Sequence, residues 1–338
     1  MAERPCTSIP LISVCIPVRN RKEMLRSCLR SVVRQTFADI EIIVSDNCSE
    51  DNLREVIDEF DDPRIVYCRN QTNIGAVRNH IKAASLARGK YIKFLCSDDL
   101  LLPNCLEESL RELQRHPGVD AIISRVVIVS EHAPLNPRVY SLPFAGVVKN
   151  MEYQEGSEIF AFANVGPTAW LMKRDAFWEL GGFDRSLGAM IDWELYYQLL
   201  RNSGGVAFFD RVLAVSVAHQ SNDALVCCAN LTFFRDVLQL RRRGVVQNSA
   251  KYADLIWRQL SQAIRCGHGV LPVLKLAYAY GYLGHFVLSL PALVAKHAWA
   301  RLKVLRQTPD DAPVPEEVCR ALHDTWSACK VSKSTKAA

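Results

Sequence analysis

The sequence lacks any CxxC pair. Its twelve cysteines are scattered through 338 residues, and only Cys227 and Cys228 are adjacent. Neither a zinc ribbon nor a disulfide framework is expected from that spacing, and a reducing compartment is the simpler setting. The N-terminus MAERPCTSIP also lacks a charged-then-apolar leader. The first apolar run, Leu11–Pro17, is of strand length and too short for a signal core, so the expected location is the cytoplasm. No internal repeat or low-complexity tract precedes the KVSKSTKAA tail, which is expected to fray. Acid is nearly missing from residues 241–306, where eleven Lys/Arg face Asp254 alone although the whole chain carries only +5. Because Leu, Val and Ala dominate there, the basic stretch suits an anionic lipid surface and no nucleic-acid partner is expected. With 49% hydrophobic and 23% charged residues, the chain can bury a full core.

From Leu11 to about Ser124 short apolar runs alternate with helix-period segments, in the order LISVCIP, EMLRSCLRSVVRQ, EIIVS, NLREVIDEF, RIVYC, GAVRNHIKAASLA and YIKFL. Strands of four to seven residues separated by amphipathic helices predict an α/β domain with a mostly parallel central sheet and helices on both faces. Such sheets bind ligands at the carboxyl ends of their strands. Polar residues collect at four of those ends: Pro17–Asn20, Asp46–Ser49, Arg69–Asn73 and Ser97–Asp99. Residues 130–167 are irregular and proline-bearing, with HAPLNPRVYSLPF reading as a linker or loop. Beyond them the pattern predicts a strand TAWLMK, a short helix closed by Gly181–Gly182, an amphipathic helix IDWELYYQLLRNSG, and two strands, VAFF and VLAVSVAH.

Asp98 and Asp99 follow Tyr91–Leu95 directly. Two like charges at the end of a buried strand repel unless a cation intervenes. Mg²⁺ or Mn²⁺ held by carboxylates and diphosphate oxygens is one explanation. An acidic cap for the helix LLPNCLEES is the other.

Four blocks, SVCIPVRN, QTFADIEIIVSDNCSED, RNQTNIGAVRN and ARGKYIKFLCSDDLLLP, stand in an order and spacing that resemble the inverting family-two glycosyltransferases of GT-A fold. The resemblance covers roughly residues 11–220. It implies a Rossmann-like nucleotide-binding domain, 1–220, with a nucleotide-sugar half at about 9–125 and an acceptor half at about 126–220. A basic, apolar helical extension at 221–310 and a tail at 311–338 follow.

In that family the loop after the first strand cups the nucleotide, which implies Pro17, Val18 and Arg19, and Asp46 stands where a carboxylate reads the base. Asn47 replaces an acid the family often has; its amide can still pair with a uracil edge. Arg78 matches a position associated with the nucleotide-sugar. The resemblance assigns Asp99 to the divalent cation and Asp98 to the ribose or donor sugar, with His219 near the metal or diphosphate. In the second signature, GGFDRSLGAMIDWELYYQLL, Ile191 replaces the first acid and Asp192 remains as the implied catalytic base. Such a base needs a pKa not far below working pH, which partial burial supplies. Glu194 is the weaker candidate. Trp170, with Trp193 beside the base, is implied to border the acceptor, either stacking on a sugar or buried in the core.

The implied reaction is a metal-dependent, inverting transfer of one sugar from a nucleotide-sugar, with uridine the default base, to a saccharide or lipid-linked saccharide. A QxxRW motif and multiple membrane helices, features of processive relatives, are missing from the sequence. A nucleotidyltransferase expects a glycine-rich loop where PVRNRKE stands; a non-catalytic sugar-binding relative is the other alternative, raised by Asn47 and Ile191. Leu276–Ala295 is apolar over twenty residues but interrupted by Gly281, Gly284 and Pro291, so a helical pair lying in the membrane interface is preferred to a span or a soluble packing helix. That places the chain at the cytoplasmic face of a membrane.

Overall fold

A computed structural model describes residues 9–130, 133–139, 146–148, 166–219, 227, 230–244, 275 and 278. Four parallel strands come first: β1 (Ile12–Val18), β2 (Ile40–Asp46), β3 (Ile65–Arg69) and β4 (Tyr91–Phe94), paired in the order β3-β2-β1-β4. Every residue of β1, β2 and β4 is buried, as expected of strands covered on both faces. The covering helices are α1 (Lys22–Val33), the short α2 (Arg54–Asp58), α3 (Ala76–Leu86) and α4 (Cys105–Arg115). In α1 the inward residues Leu25, Cys28, Leu29 and Val32 recur at the helical period, so one stripe meets the sheet.

Beyond β4 the sheet becomes mixed. β9 (Trp170–Lys173) runs antiparallel to both β4 and β6 (Ala121–Ser130), and β10 (Val206–Ala218) lies parallel to β6. The short strands β5 (Leu100–Leu101), β7 (Ala133–Val139) and β8 (Gly146–Val148) complete it. The expected parallel arrangement thus holds for the first half, while the second half mixes directions. The two strands expected as VAFF and VLAVSVAH are the single strand β10. A register shift between Phe209 and Val212 bulges it where Asp210 and Arg211 turn to solvent, which is why the sequence reads as two runs.

Three helices follow the sheet's second half. α5 (Arg174–Glu179) ends at Gly181 and Gly182, whose φ values of 87° and 68° match the expected glycine stop. α6 spans Ile191–Asn202 and α7 spans Thr232–Arg242. Phe234, Val237, Leu238 and Leu240 of α7 are buried in the same core as β1 and β4. The packed unit therefore continues past the boundary expected at 220, at least to Arg242. The segment Leu276–Ala295, apart from Tyr278, the tail from 311 and most of 130–165 lie outside the described residues. Among the described residues no helix is long and apolar enough to cross a membrane.

Candidate active site

Strand ends β1 to β4 deliver their loops to one edge, and hydrogen bonds knit the loops together. Asn47 N–H donates to the Val18 carbonyl at 2.8 Å. Asn20 N–H donates to Ser49 Oγ at 3.0 Å, and Glu50 N–H returns a bond to Asn20 Oδ1 at 2.8 Å. Pro17 and Val18 are buried strand residues paired with Ser45 and Asp46, so only Arg19 of the expected nucleotide cup leaves the sheet. Arg19 is exposed and ion-pairs with Glu50 at 3.5 Å.

Asp46 is buried with both carboxylate oxygens engaged. Ser49 N–H donates to Oδ1 at 2.8 Å, Tyr67 O–H donates to Oδ2 at 2.6 Å, and Arg69 stands 3.3 Å from Oδ2. The side chain of Asn47 is engaged at both ends. Its Oδ1 accepts from Ile74 N–H at 2.9 Å and from Asn70 Nδ2 at 3.3 Å, while its Nδ2 donates to Asn73 Oδ1 at 2.8 Å. An amide with one donating and one accepting end suits this loop, which explains the asparagine where the resemblance leads one to expect an acid. Asn79 continues the network by exchanging hydrogen bonds with Ser45. Its neighbour Arg78, on α3, is exposed.

The acidic pair does not cap α4, whose N-cap position is Asn104. The two carboxylates face different surroundings. Asp99 points inward, its Oδ2 accepting from Thr168 Oγ1 at 2.6 Å and its Oδ1 from Val217 N–H at 3.2 Å. Burial and the neighbouring Asp98 charge push its carboxyl above the ordinary range. Asp98 instead meets cationic and imidazole groups: Oδ2 lies 2.8 Å from His219 Nε2 and 3.1 Å from Arg21 Nη1. One ligand atom each from Cys96, Asp98 and Asp99 falls within 4.8 Å of the others, so the donor set fits a divalent cation. The helix α1 holds this loop from beneath. Ser31 Oγ accepts from Leu101 N–H, and Gln35 bonds Leu102 and Leu106.

On the other half, Asp192 is partly buried in the first turn of α6, where Trp193 N–H donates to its Oδ1 at 2.9 Å. Burial raises its carboxyl to about 6, against that hydrogen bond. Glu194 is also buried and raised, and it accepts from Gln198 Nε2 at 2.8 Å. Trp193 is half-buried against the core. Trp170 takes the core alternative: it is 3% exposed, with its ring centroid 5.9 Å from that of Tyr196, and offers no open face for a sugar. Of the two alternatives, stacking on a sugar and burial in the core, the structure shows burial.

Arg21 and Thr168 escaped the sequence reading. Arg21 carried a signal, standing two residues beyond Arg19 in the basic run PVRNRKE. Nothing in the sequence signals the contact of Thr168 with Asp99, 69 positions away. The seven described cysteines are free.

Residues 13–181, half of the chain, match the family described as Glycosyl transferase family 2. An Escherichia coli protein described as UDP-Glc:alpha-D-GlcNAc-diphosphoundecaprenol beta-1,3-glucosyltransferase WfgD is 37% identical over 97 residues, 29% of this chain and 38% of its own length. Three other curated relatives are matched over 66%, 62% and 44% of their lengths, less than two thirds of each. S. aureus TarS 1-349 in complex with UDP-GlcNAc superposes with a TM-score of 0.54 at 13% identity, covering 82% of this chain and 71% of that one. The mannosyltransferase PcManGT from Pyrobaculum calidifontis, in complex with GDP-Man and Mn2+, gives 0.52 at 15% identity, covering 96% and 87%. The fold shared with these proteins is the expected GT-A α/β fold.

Proposed function

The chain belongs to glycosyl transferase family 2 and is a glycosyltransferase, and from that premise we propose that it moves one sugar, a hexose, from a nucleotide-sugar to a saccharide or lipid-linked saccharide acceptor, inverting the anomeric carbon. The observation that carries this reading is the meeting of Asp98, Arg21 and His219 at the carboxyl end of β4, beside Cys96 and Asp99. A nucleoside diphosphate requires concentrated positive charge at that position, and the strand ends supply a crevice for it.

Asp98 is the residue we assign to a divalent cation, Mn²⁺ or Mg²⁺, with Cys96 beside it and His219 holding the Asp98 carboxylate. Asp99 is assigned a supporting role, since both its oxygens already accept hydrogen bonds from Thr168 and Val217. This moves the cation from Asp99, where the family resemblance put it, to Asp98. When bound, the cation supplies positive charge to the departing diphosphate. Arg21 and the exposed Arg19 and Arg78 add cationic groups on the donor side, and Arg19 with the 46–49 loop borders the nucleoside. Asp192 takes the proton of the acceptor hydroxyl as that oxygen bonds to the anomeric carbon and the bond to the diphosphate breaks. Its carboxyl, raised to about 6, is ionised at neutral pH yet still basic enough for that transfer.

The relative acting on a diphosphoundecaprenol-linked sugar supports a lipid-linked acceptor and a place in cell-surface polysaccharide or glycolipid synthesis. The basic stretch 241–306 supports peripheral association with the cytoplasmic face of an anionic membrane. The test is a panel of UDP-, GDP- and dTDP-sugars with Mn²⁺ and lipid-linked saccharides, read by release of nucleoside diphosphate. Release that depends on one donor and one acceptor is expected; no release across the panel sinks the proposal.

A further inference from the structure

Helix α7 reaches back to the loop that leads into α6, and it grips that loop at three places. Arg243 ion-pairs with Asp184. Ser186 Oγ accepts from Gln239 Nε2 at 3.0 Å and from Arg243 Nη2 at 2.7 Å. Deepest of all, the fully buried Asp236 turns one oxygen, Oδ2, to three consecutive backbone amides: Gly188 at 2.8 Å, Ala189 at 2.7 Å and Met190 at 3.1 Å. Three converging N–H groups at a helix start form an anion-binding nest, and hydrogen bonds to an ionised acceptor are stronger than neutral ones. Here the anion comes from another helix of the same chain.

Backbone geometry shows how close the two elements sit. A Cβ placed on Gly188 would fall 2.5 Å from Thr232 Cγ2 and 3.0 Å from Arg235 Nη2. Any larger residue at 188 would have to displace the Thr232 methyl and the Arg235 guanidinium to keep the loop this close to α7. Met190 is the N-cap residue of α6, and its carbonyl accepts from Glu194 N–H at 3.1 Å. The gripped amides therefore fix the entry of α6, and Asp192 lies two residues beyond the last of them.

We propose that Asp236 is a positioning residue that holds the 188–190 turn, and through it Asp192, in register with the acceptor hydroxyl. This rests on the reading of Asp192 as the base. Nothing else in the described surroundings of the turn does this, because the Arg243 and Gln239 contacts act on Asp184 and Ser186, farther up the loop. A displacement of about 1 Å at a reacting group can cost on the order of 100-fold in rate. A grip from one buried carboxylate is thus enough to matter.

The experiment measures transfer by the full chain, with the donor and acceptor found in the panel, for Asp236→Asn, Asp236→Ala and Gly188→Ala. The neutral amide of Asp236→Asn still offers an accepting oxygen, so kcat is expected to fall about 10-fold there and about 100-fold in Asp236→Ala. Donor KM and nucleoside diphosphate affinity should stay within about twofold, since the change is confined to the acceptor side. In an Asp192→Asn background, Asp236→Ala should cause no further loss of residual transfer, because the positioned group is already gone. Wild-type kcat in folded Asp236→Ala overturns the proposal, as does an equal loss in both backgrounds. If Asp236→Ala does not fold, Asp236→Asn and Gly188→Ala carry the same comparison. Full transfer by Asp192→Asn overturns the base assignment and the positioning role together, whereas an inactive Asp192→Asn beside a fully active Asp236→Ala overturns only the latter.

Discussion

Asp98 and His219, 121 positions apart in the chain, meet at 2.8 Å between Oδ2 and Nε2. One follows β4 and the other follows β10, so the contact joins side chains from two separate strand ends, beside the Val217–Asp99 bond. The contact also places the imidazole on the same oxygen that Arg21 approaches. Asp99, its sequence neighbour, is turned the other way.

Asp98→Ala is expected to abolish Mn²⁺ binding and transfer, with little change in Tm. Asp99→Ala removes the acceptor of the Thr168 and Val217 bonds, so its main effect should be a loss of stability of about 1–3 kcal/mol. Titration of Mn²⁺ followed by electron paramagnetic resonance separates the two. Retained binding in Asp98→Ala with lost binding in folded Asp99→Ala would return the cation to Asp99.

The pH profile should report Asp192. Its carboxyl is raised to about 6, so kcat/KM is expected to be level above that pH and to fall about tenfold per unit below it as the base is protonated. The stability consequence has the opposite sense. A carboxyl whose folded pKa exceeds its ordinary 3.8 binds its proton more tightly when folded, so its contribution is greatest below about pH 4 and declines as pH rises through 6. Asp192→Asn should be inactive and should lose this slope in its melting profile. An unchanged acid limb of kcat/KM in any active variant at 192 counts against the assignment.

At position 47 the structure predicts that restoring an acid is harmful. Asn47→Asp keeps an oxygen for Ile74 and Asn70 but turns a second one toward Asn73 Oδ1, where a donor now stands. A loss of about 1–3 kcal/mol is expected by thermal or denaturant unfolding, and Asn47→Leu should lose at least as much. Equal stability of Asn47→Asp and wild type would show that the loop tolerates a carboxylate.

A chain ended at 220 lacks α7 and exposes the core that Phe234, Val237, Leu238 and Leu240 cover, so it should be insoluble or unfolded. Ending at 244 keeps the packed unit. Fractionation of the 1–244 chain against the full chain then tests the basic segment alone: the full chain is expected with membranes and the shorter one in the soluble fraction. Identical partition of the two would remove the membrane role.

The alternation of apolar runs and helical periods made β1 to β4, their helices and their shared ligand edge legible, because buried parallel strands have few other ways to read. Asp98, His219 and Asp192 became candidates through the family resemblance. What periodicity does not carry is direction. It could not say which of two adjacent aspartates faces inward, nor that Trp170 turns to the core. β10 looked like two strands because a bulge breaks alternation without breaking pairing. Asp236 stayed hidden since an acid in an amphipathic helix resembles any solvated one until its amide partners, 46 to 48 positions away, are known.

Thr168 has a consequence of its own. Its hydroxyl donates to Asp99 Oδ2 at 2.6 Å and accepts from Cys96 N–H at 3.3 Å. It sits in a 3₁₀ turn, Pro167–Ala169, that leads into β9 in the mixed half of the sheet. The sheet is continuous from β3 to β10, so the halves have no seam along which to swing apart. That one hydroxyl therefore fastens both ends of the Cys96–Asp99 loop to the turn before β9, and Thr168→Val would release the loop while leaving the architecture in place.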